Sequence, residues 1–305
     1  MATTAHVELA RQTGEASVSS GEPAVRHRRS RWRSRLNTAS FHTVAITLSV
    51  IWFFPIFMVL ITSFRTNSDV LRNGVAAWPE AFVLDAFWDA WVNAEMGRAL
   101  LNSLIITIPV VLLTLLLSSF AAFALSRYRI RFRRTLLLLM LAGNLLPAQL
   151  MLIPWQKAAE GAGLYDTFLI VILIQTAAGL GFYTFVMYGF MRAIPFELQD
   201  AAAIDGAGPL RTYWQIIMPL TRPALAALGA LAFTWIFNDL LLSITLLRTS
   251  SQFPITAAVL SLIGEYSAEW NLIAAATIIA AIPCVIVFLM FQKQFVGGLA
   301  LGAVK

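Results

Sequence analysis

A polar segment between two long apolar stretches, residues 192–223, has the most regular pattern of acidic and small side chains in the sequence. Glu197 and Asp200 favour the positive end of a helix dipole, so a short helix is predicted to begin beside them. Gly206 can end this helix, and Pro209 can open a second one. The segment is therefore predicted to form a helix, a tight turn and another helix.

The first of these helices is predicted to present one face of mostly small side chains with an acidic end. Positions i, i+3, i+4 and i+7 of that face are Leu198, Ala201, Ala202 and Asp205. Small side chains allow the backbone of another protein to approach closely. Pro219 leads the second helix towards the next apolar stretch. Two interpretations remain open, a docking surface for a partner protein and an amphipathic loop that lies on a membrane surface.

Polar and aromatic side chains inside the apolar stretches form a second set of candidates. Amides there can bind the hydroxyl groups of a solute or bond to neighbouring helices, and exposed rings can stack on a solute or pack against lipid. Asp239 is the only acidic residue within these stretches. It is either functional or hydrated near the outer end of its span, paired with Asn238 or an outer-loop cation. The candidates for a solute pathway are Asn144, Gln149, Gln175, Trp235, Asn238 and Asp239.

The composition places both sets of residues in a membrane protein. The 305 residues are 59% hydrophobic and 12% charged, whereas soluble domains carry about 25% charged residues. Six stretches are long enough to cross about 30 Å of hydrocarbon as helices. They run from Thr43 to Ser63, Leu100 to Leu125, Thr135 to Pro154, Thr167 to Phe190, Ala224 to Leu247 and Asn271 to Phe291. Kinks are predicted at the interior prolines Pro55, Pro109, Pro147 and Pro283.

The distribution of Lys and Arg predicts that both termini are cytoplasmic. With the amino terminus inside, seventeen of these residues lie on that side and five on the other. Residues 1–42 are polar and basic and are predicted to be a disordered cytoplasmic extension that precedes a membrane domain, residues 43–305. Trp78, Trp88 and Trp91 in the long outer loop suit either anchoring at the membrane interface or contact with an external partner.

Several function classes are disfavoured by what the sequence lacks. It contains no Gly-x-x-x-x-Gly-Lys-Ser/Thr loop that would hold ATP phosphates. The histidines His6, His27 and His42 all precede the first span, and Cys284 is the single cysteine, so no metal site or nucleophile and base pair is predicted. The net charge of +6 comes from basic residues beside apolar stretches, which argues against nucleic-acid binding. We therefore expect no enzyme activity and no cofactor.

Residues Glu197 to Ala207, together with the following Trp214, Ile217, Pro219 and Pro223, resemble the EAA loop of bacterial ABC importer permeases. In that family the loop forms a coupling helix that sits in a groove of the cytoplasmic ATPase, and residues 192–223 are called the coupling loop below. The family usually has glutamate where Asp200 stands. The resemblance assigns ATPase coupling to Glu197, Asp200, Ala201, Ala202, Asp205, Gly206 and Pro219.

Further motifs extend this resemblance over residues 43–305. Asn102-Ser103-Leu104 opens the second span, and Ala121 to Arg127 closes it, as in the permease core of the family. Phe233 to Asp239 and the carboxyl terminus from Gln292 resemble the MalG-like subunits of carbohydrate importers. The resemblance thus points to a sugar as the transported solute.

The resemblance implies an all-α membrane protein with six transmembrane helices, the type I importer permease fold and a cytoplasmic coupling helix. It also implies a bacterial plasma-membrane location and partners: a second homologous permease, two ATPase subunits that use the ATP, and an extracytoplasmic sugar-binding protein. A permease for glycerol phosphate, a polyamine or a peptide remains an alternative. An ion-coupled carrier is a further alternative, although paired broken helices and internal repeats are not evident. A membrane scaffold without transport would leave the patterned loop unexplained.

Overall fold

The computed structural model describes residues 26–265 and 269–303, and none of these residues is in a β-strand. The chain divides into two units, one ending at Ile56 and the other beginning at Phe57. The helices are α1 Arg26–Ser63, α2 Asn67–Asn73, α3 Asp85–Val92, α4 Met96–Arg127, α5 Arg133–Gly143, α6 Leu152–Gly161, α7 Phe168–Ala193, α8 Glu197–Ile204, α9 Pro209–Thr212, α10 Met218–Phe237, α11 Leu241–Leu246, α12 Ile255–Glu265 and α13 Trp270–Ala303.

Five helical segments in the described chain are long and apolar enough to cross a membrane, and a bent helix pair makes a sixth if it counts as one span. The five are Ser40–Ser63, Met96–Arg127, Phe168–Ala193, Pro209–Phe237 and Trp270–Gln294. The fourth of them consists of α9, a π-helical turn and α10 in one continuous run. The predicted all-α membrane fold is confirmed, and the predicted six spans require the bent pair to be one of them.

The third predicted span, Thr135 to Pro154, is not a single helix. It is divided between α5 and a second helical segment, Ala148–Gly161, and the two are bent by 87°. Gly143 ends α5, and Pro147 stands immediately before the second segment. Proline lacks a backbone donor and clashes with the preceding turn, and here Gly143 and Asn144 have already weakened the helix before it. The kink predicted at Pro147 is thus a complete break, whereas helices α4 and α13 continue through Pro109 and Pro283.

The first apolar stretch lies within a longer helix. Helix α1 begins at Arg26, so residues 26–42 of the predicted disordered extension are helical, and residues 1–25 lie outside the described residues. The sequence contains neither Gly nor Pro between Arg26 and Phe54, so no local signal stops the helix before the apolar stretch.

The fifth predicted span, Ala224 to Leu247, is interrupted near its end. Helix α10 ends at Phe237, and α11 begins only at Leu241. The intervening residues include Asn238 and Asp239, whose short polar side chains bond to nearby backbone and so compete with a continuing helix.

Helices α4 and α7 make the most extensive helix contact in the second unit. The α4 face is small and mostly hydroxyl-bearing, with buried residues at intervals of three or four: Ser103, Thr107, Val110, Thr114, Ser118 and Ala122. Gly179 of α7 lies so close that a Cβ there would be 3.0 Å from Cγ2 of Thr114. Small residues allow membrane helices to pack closely where hydrophobic burial gives no driving force.

The amino-terminal end of α4 is fixed to the segment that precedes α12. Nδ2 of Asn102 donates hydrogen bonds to the carbonyl oxygens of Ser251 and Phe253, at 2.9 and 3.0 Å. The backbone N–H of Ile255 donates to Oγ of Ser103 at 2.8 Å. Asn102 and Ser103 were predicted to open a span. They hold this loop near the amino-terminal end of α4, and Arg127 lies at the other end of the same helix.

A buried ion pair organises the loop between α1 and α4. Nε and Nη2 of Arg65 each donate to the Asp69 carboxylate at 2.8 Å, and Nη1 donates to the carbonyl oxygen of Gly74. Both side chains are almost inaccessible to solvent. The hydrogen bonds from Arg65, followed by one from Asn73, hold the pKa of Asp69 far below its usual range.

The three outer-loop tryptophans belong to the same loop between α1 and α4. Trp78, Trp88 and Trp91 are all exposed. Exposure fits both interpretations made from the sequence, anchoring at the membrane interface and contact with an external partner.

Candidate functional site

The coupling loop has the predicted helix, turn and helix. Helix α8 begins at Glu197, and the chain reverses at Gly206 before α9 begins at Pro209. Gly206 has a φ of 77°, in the left-handed region that favours glycine. The N–H groups of Gly206 and Ala207 donate to carbonyl oxygens of the last turn of α8, which closes the helix.

The exposed face of α8 differs by one position from the predicted face. Ala202 was assigned to the outward face, but it is only 5% exposed and is buried within the chain. Ile204 was not selected from the sequence and is 86% exposed. The outward positions at i, i+3, i+4 and i+7 are Glu197, Asp200, Ala201 and Ile204, all exposed. Leu198 is also exposed, at 41%, so the exposed surface of α8 carries two large apolar side chains beside its acidic ones.

The remaining predicted coupling residues lie where the loop turns and rejoins the membrane helices. Asp205 is exposed and forms the carboxyl-terminal cap of α8. Pro219 is the second residue of α10, which directly follows the π-helical turn. The structure therefore places the seven predicted residues on one continuous segment, although they do not share one face.

The start of the coupling loop is attached to the end of α4. Nη2 of Arg127 donates to the carbonyl oxygens of Met191 and Ile194, at 2.5 and 3.0 Å. The guanidinium carbon lies 4.8 Å from the ring centre of Phe196, the residue before α8. Arg127 itself is only 6% exposed.

The second half of the loop is attached to the same end of α4. Tyr213 is fully buried at the beginning of the π-helical turn. Its hydroxyl lies 2.7 Å from Oγ of Ser119. Its ring stacks on Phe120 with centroids 4.4 Å apart and meets the edge of Phe123 at 5.3 Å.

Sequence reasoning missed the roles of Arg127 and Tyr213. Arg127 was quoted only as part of the motif that closes the second span. Its acceptors lie 64 and 67 residues away in the sequence, and Ser119 lies 94 residues from Tyr213. A cation at the end of an apolar helix was the available signal for Arg127. Tyr213 belongs to the apolar stripe of the second loop helix, which predicted packing beneath the spans but not the contact with Ser119.

The predicted solute-pathway residues do not form one cluster. Asp239 accepts hydrogen bonds from the N–H and hydroxyl of Ser243 at 3.2 and 3.3 Å, and Gln175 lies close to its carboxylate. Asp239 therefore accepts hydrogen bonds from the first turn of α11, and among the described residues its side-chain partners are Ser243 and Gln175 rather than Asn238 or a cation. Nδ2 of Asn238 instead bonds within α10 and lies 3.4 Å from Sγ of Cys284.

The other pathway candidates are exposed and separate. Trp235 is 74% exposed. Asn144 and Gln149 are exposed at the break between α5 and α6. A cavity of about 170 Å³ lies near the start of α4, lined among others by Asn93, Arg98 and Asn102, and none of the six candidates lines it. The assignment of these six residues to a pathway stays a prediction.

The geometry defines a class of protein: a multi-pass helical membrane protein that presents a short exposed helix between two of its spans. Residues 114–299 match the family model described as "binding-protein-dependent transport system inner membrane component". The chain belongs to this family, so the recognition made from the sequence is confirmed.

Relatives with known names support the same assignment. The chain is 33% identical over 271 residues to the osmoprotective compounds uptake permease protein GgtD of Synechocystis sp., covering 87% of this chain and 91% of the relative. It is 33% identical over 254 residues to the melibiose/raffinose/stachyose import permease protein MelC of Bacillus subtilis, covering 83% and 91%. The chain is accordingly a permease component of an importer of this family.

The fold agrees with a solved importer. A chain of a bacterial ABC transporter involved in the import of the acidic polysaccharide alginate superposes with a TM-score of 0.76 at 22% identity, covering 86% of this chain and 98% of that one. This similarity confirms the importer permease fold predicted from the sequence.

Proposed function

We propose that this chain is one of two homologous permease subunits of a carbohydrate importer in a bacterial plasma membrane, with both termini in the cytoplasm. One of two cytoplasmic ATPase subunits binds α8, and the two ATPases supply the energy, so the chain itself uses no cofactor and has no enzyme activity. An extracytoplasmic binding protein delivers the sugar. The observation that carries the proposal is α8 itself, whose outward face combines Ile204 with Glu197 and Asp200.

The carbohydrate assignment rests on the relatives. MelC is named for melibiose, raffinose and stachyose, and NgcG of Streptomyces coelicolor, 29% identical over 266 residues, is named for diacetylchitobiose. A second candidate is a small osmoprotective compound, which the similarity to GgtD favours. Thermal-shift screening of the cognate binding protein with oligosaccharides and with osmoprotectants separates the two, because only the true solute stabilises that protein.

The coupling role of α8 is tested by Gly206→Asp. A side chain at a φ of 77° strains the turn, and the new carboxylate adds a charge at the end of α8. We expect affinity for the ATPase subunits to fall about ten-fold or more, and uptake to fall with it. Co-purification of the ATPase with a tagged permease and solute uptake into proteoliposomes are the measurements.

Gly163→Asp is the matched control, since Gly163 also has a positive φ, 67°, with open space around it, but lies in the turn after α6. This control should retain the ATPase. If Gly206→Asp keeps both ATPase association and uptake, α8 is not the coupling element.

A further inference from the structure

We propose that the last turns of α4, residues 119–127, receive the movement of α8 through two separate attachments, which makes Arg127 and Tyr213 positioning residues for ATP-driven transport. The inference rests on the proposed function, because it assumes that an ATPase moves α8. The inference goes further than the proposed function because it names the helix that α8 moves, α4, and the side chains that transmit the movement, Arg127 and Tyr213.

The first attachment joins the entry of the coupling loop to α4. Arg127 donates to two carbonyl oxygens at the carboxyl-terminal end of α7, where the helix dipole favours a positive charge. Its guanidinium also lies over the ring of Phe196, a contact that strengthens when the cation is desolvated. The described residues place no carboxylate in an ion pair with Arg127. Only Nη2 makes hydrogen bonds, and Nε and Nη1 have no partner among the described residues. The two carbonyls and the ring are therefore the main contacts of this buried charge, and moving Phe196 removes one of them.

The second attachment joins the exit of the loop to α4. Oγ of Ser119 donates its single proton to the carbonyl oxygen of Leu116 at 2.8 Å. With that proton directed to the Leu116 carbonyl, the hydroxyl of Tyr213 is free to donate in its 2.7 Å contact with Oγ of Ser119, where either hydroxyl can be the donor. The stacking on Phe120 adds a ring contact to this hydrogen bond. The hydrogen bond to Ser119 and the stacking on Phe120 together fix both the position and the ring orientation of Tyr213.

The two attachments act on one short section of one helix. Between Phe196 and Tyr213 the chain is largely exposed, with Ala202 and Thr212 the buried residues. Both ends of this segment contact residues 119–127, so a displacement of α8 loads α4 through the two attachments, in addition to α7 and α10 through the backbone. The close packing at Thr114 and Gly179 joins α4 to α7.

The experiment uses the complete transporter in proteoliposomes, with solute uptake and ATP hydrolysis measured on the same preparation. Arg127→Gln removes the charge, Phe196→Leu removes the ring under it, and Tyr213→Phe removes only the hydroxyl. We expect uptake per ATP hydrolysed to fall about five-fold or more in Arg127→Gln, the lower end of typical coupling between linked sites. Smaller losses are expected for the other two variants, with the ATPase still bound in each.

Phe132→Leu is the matched control, because Arg131 lies 4.9 Å from the Phe132 ring in an equally short contact outside both attachments. It should leave the ratio of uptake to hydrolysis unchanged, and Phe196→Tyr, which keeps a ring, should restore the ratio. A merely structural role would lower protein yield without changing this ratio.

The results distinguish failure of the proposed function from failure of the two attachments. If the wild-type chain binds no ATPase, the proposed function is wrong. If the ATPase binds but Phe196→Leu and Tyr213→Phe transport as much solute per ATP as the wild type, the attachments do not transmit force. Phe196→Leu and Tyr213→Phe therefore test the two attachments even if Arg127→Gln is not produced as a stable protein.

Discussion

At the scale of single residues, the ion pair of Arg65 and Asp69 is one whose disruption should destabilise the protein. It is buried, bidentate and surrounded by further donors, among them the backbone N–H of Glu80 at 3.3 Å from the carboxylate. Removing one partner of such a pair leaves the other charge buried without compensation. The loop between α1 and α4 should therefore depend on this pair more than on the ion pairs at its surface.

This dependence predicts a pH effect on stability. The folded-state pKa of Asp69 lies below the value of an unfolded aspartate, about 3.9. Its contribution is therefore fully present above about pH 4 and is lost as the pH falls towards the folded pKa. We expect Asp69→Asn to lower the melting temperature by a constant amount from pH 7 to pH 5, and by less below about pH 4. Thermal unfolding in detergent across this range is the measurement.

Glu95→Gln provides the control for Asp69→Asn. Glu95 pairs with Arg98 at 2.9 Å, but both side chains are about half exposed, so its loss should matter little. The interpretation fails if the two substitutions lower the melting temperature equally at pH 7.

At the scale of secondary-structure elements, the contact of α5 with α7 depends on Gly181. A Cβ at this position would lie 2.2 Å from the carbonyl oxygen of Met140, which is backbone and cannot rotate away. Gly181→Ala should push α5 from α7 and destabilise the protein by about 1–3 kcal/mol or more. The melting temperature and yield in detergent measure this effect.

Gly189→Ala is the control for Gly181→Ala, because Gly189 is on the same helix but does not lie against the backbone of α5. A Cβ at Gly189 meets no atom within 4 Å, so the better helix propensity of alanine should stabilise the protein or leave it unchanged. Equal losses in the two variants would mean that helix α7 does not tolerate alanine for a reason unrelated to α5.

The sequence predicted those elements whose signals are local. The turn at Gly206 and the start of α9 at Pro209 were predicted because glycine and proline restrict the backbone within a few residues. The break at Pro147 was underestimated as a kink, since periodicity alone does not reveal the angle between two apolar helices. The contacts of Arg127 and Tyr213 were not predicted because they depend on how α4, α7 and the coupling loop pack. Ala202 was misplaced for the same reason.

At the scale of the whole molecule, the energy source separates an ATP-driven importer from an ion-coupled carrier. Proteoliposomes that contain the complete transporter, with ATP and vanadate inside, should lose solute uptake, whereas an uncoupler added to vesicles with ATP alone should have no effect. Vesicles with ATP and neither inhibitor are the reference. Uptake that persists without ATP and collapses with the uncoupler would contradict the assignment to an ATP-driven system.

Helix α4 has 32 residues in one unbroken run, which corresponds to about 48 Å. Because the hydrocarbon core is about 30 Å thick, this length exceeds what a perpendicular crossing requires. One end holds the coupling loop, and the other holds the backbone near Ser251 through Asn102. If the proposed ATPase moves the coupling loop, α4 links that movement to the surface around Ser251 at its opposite end.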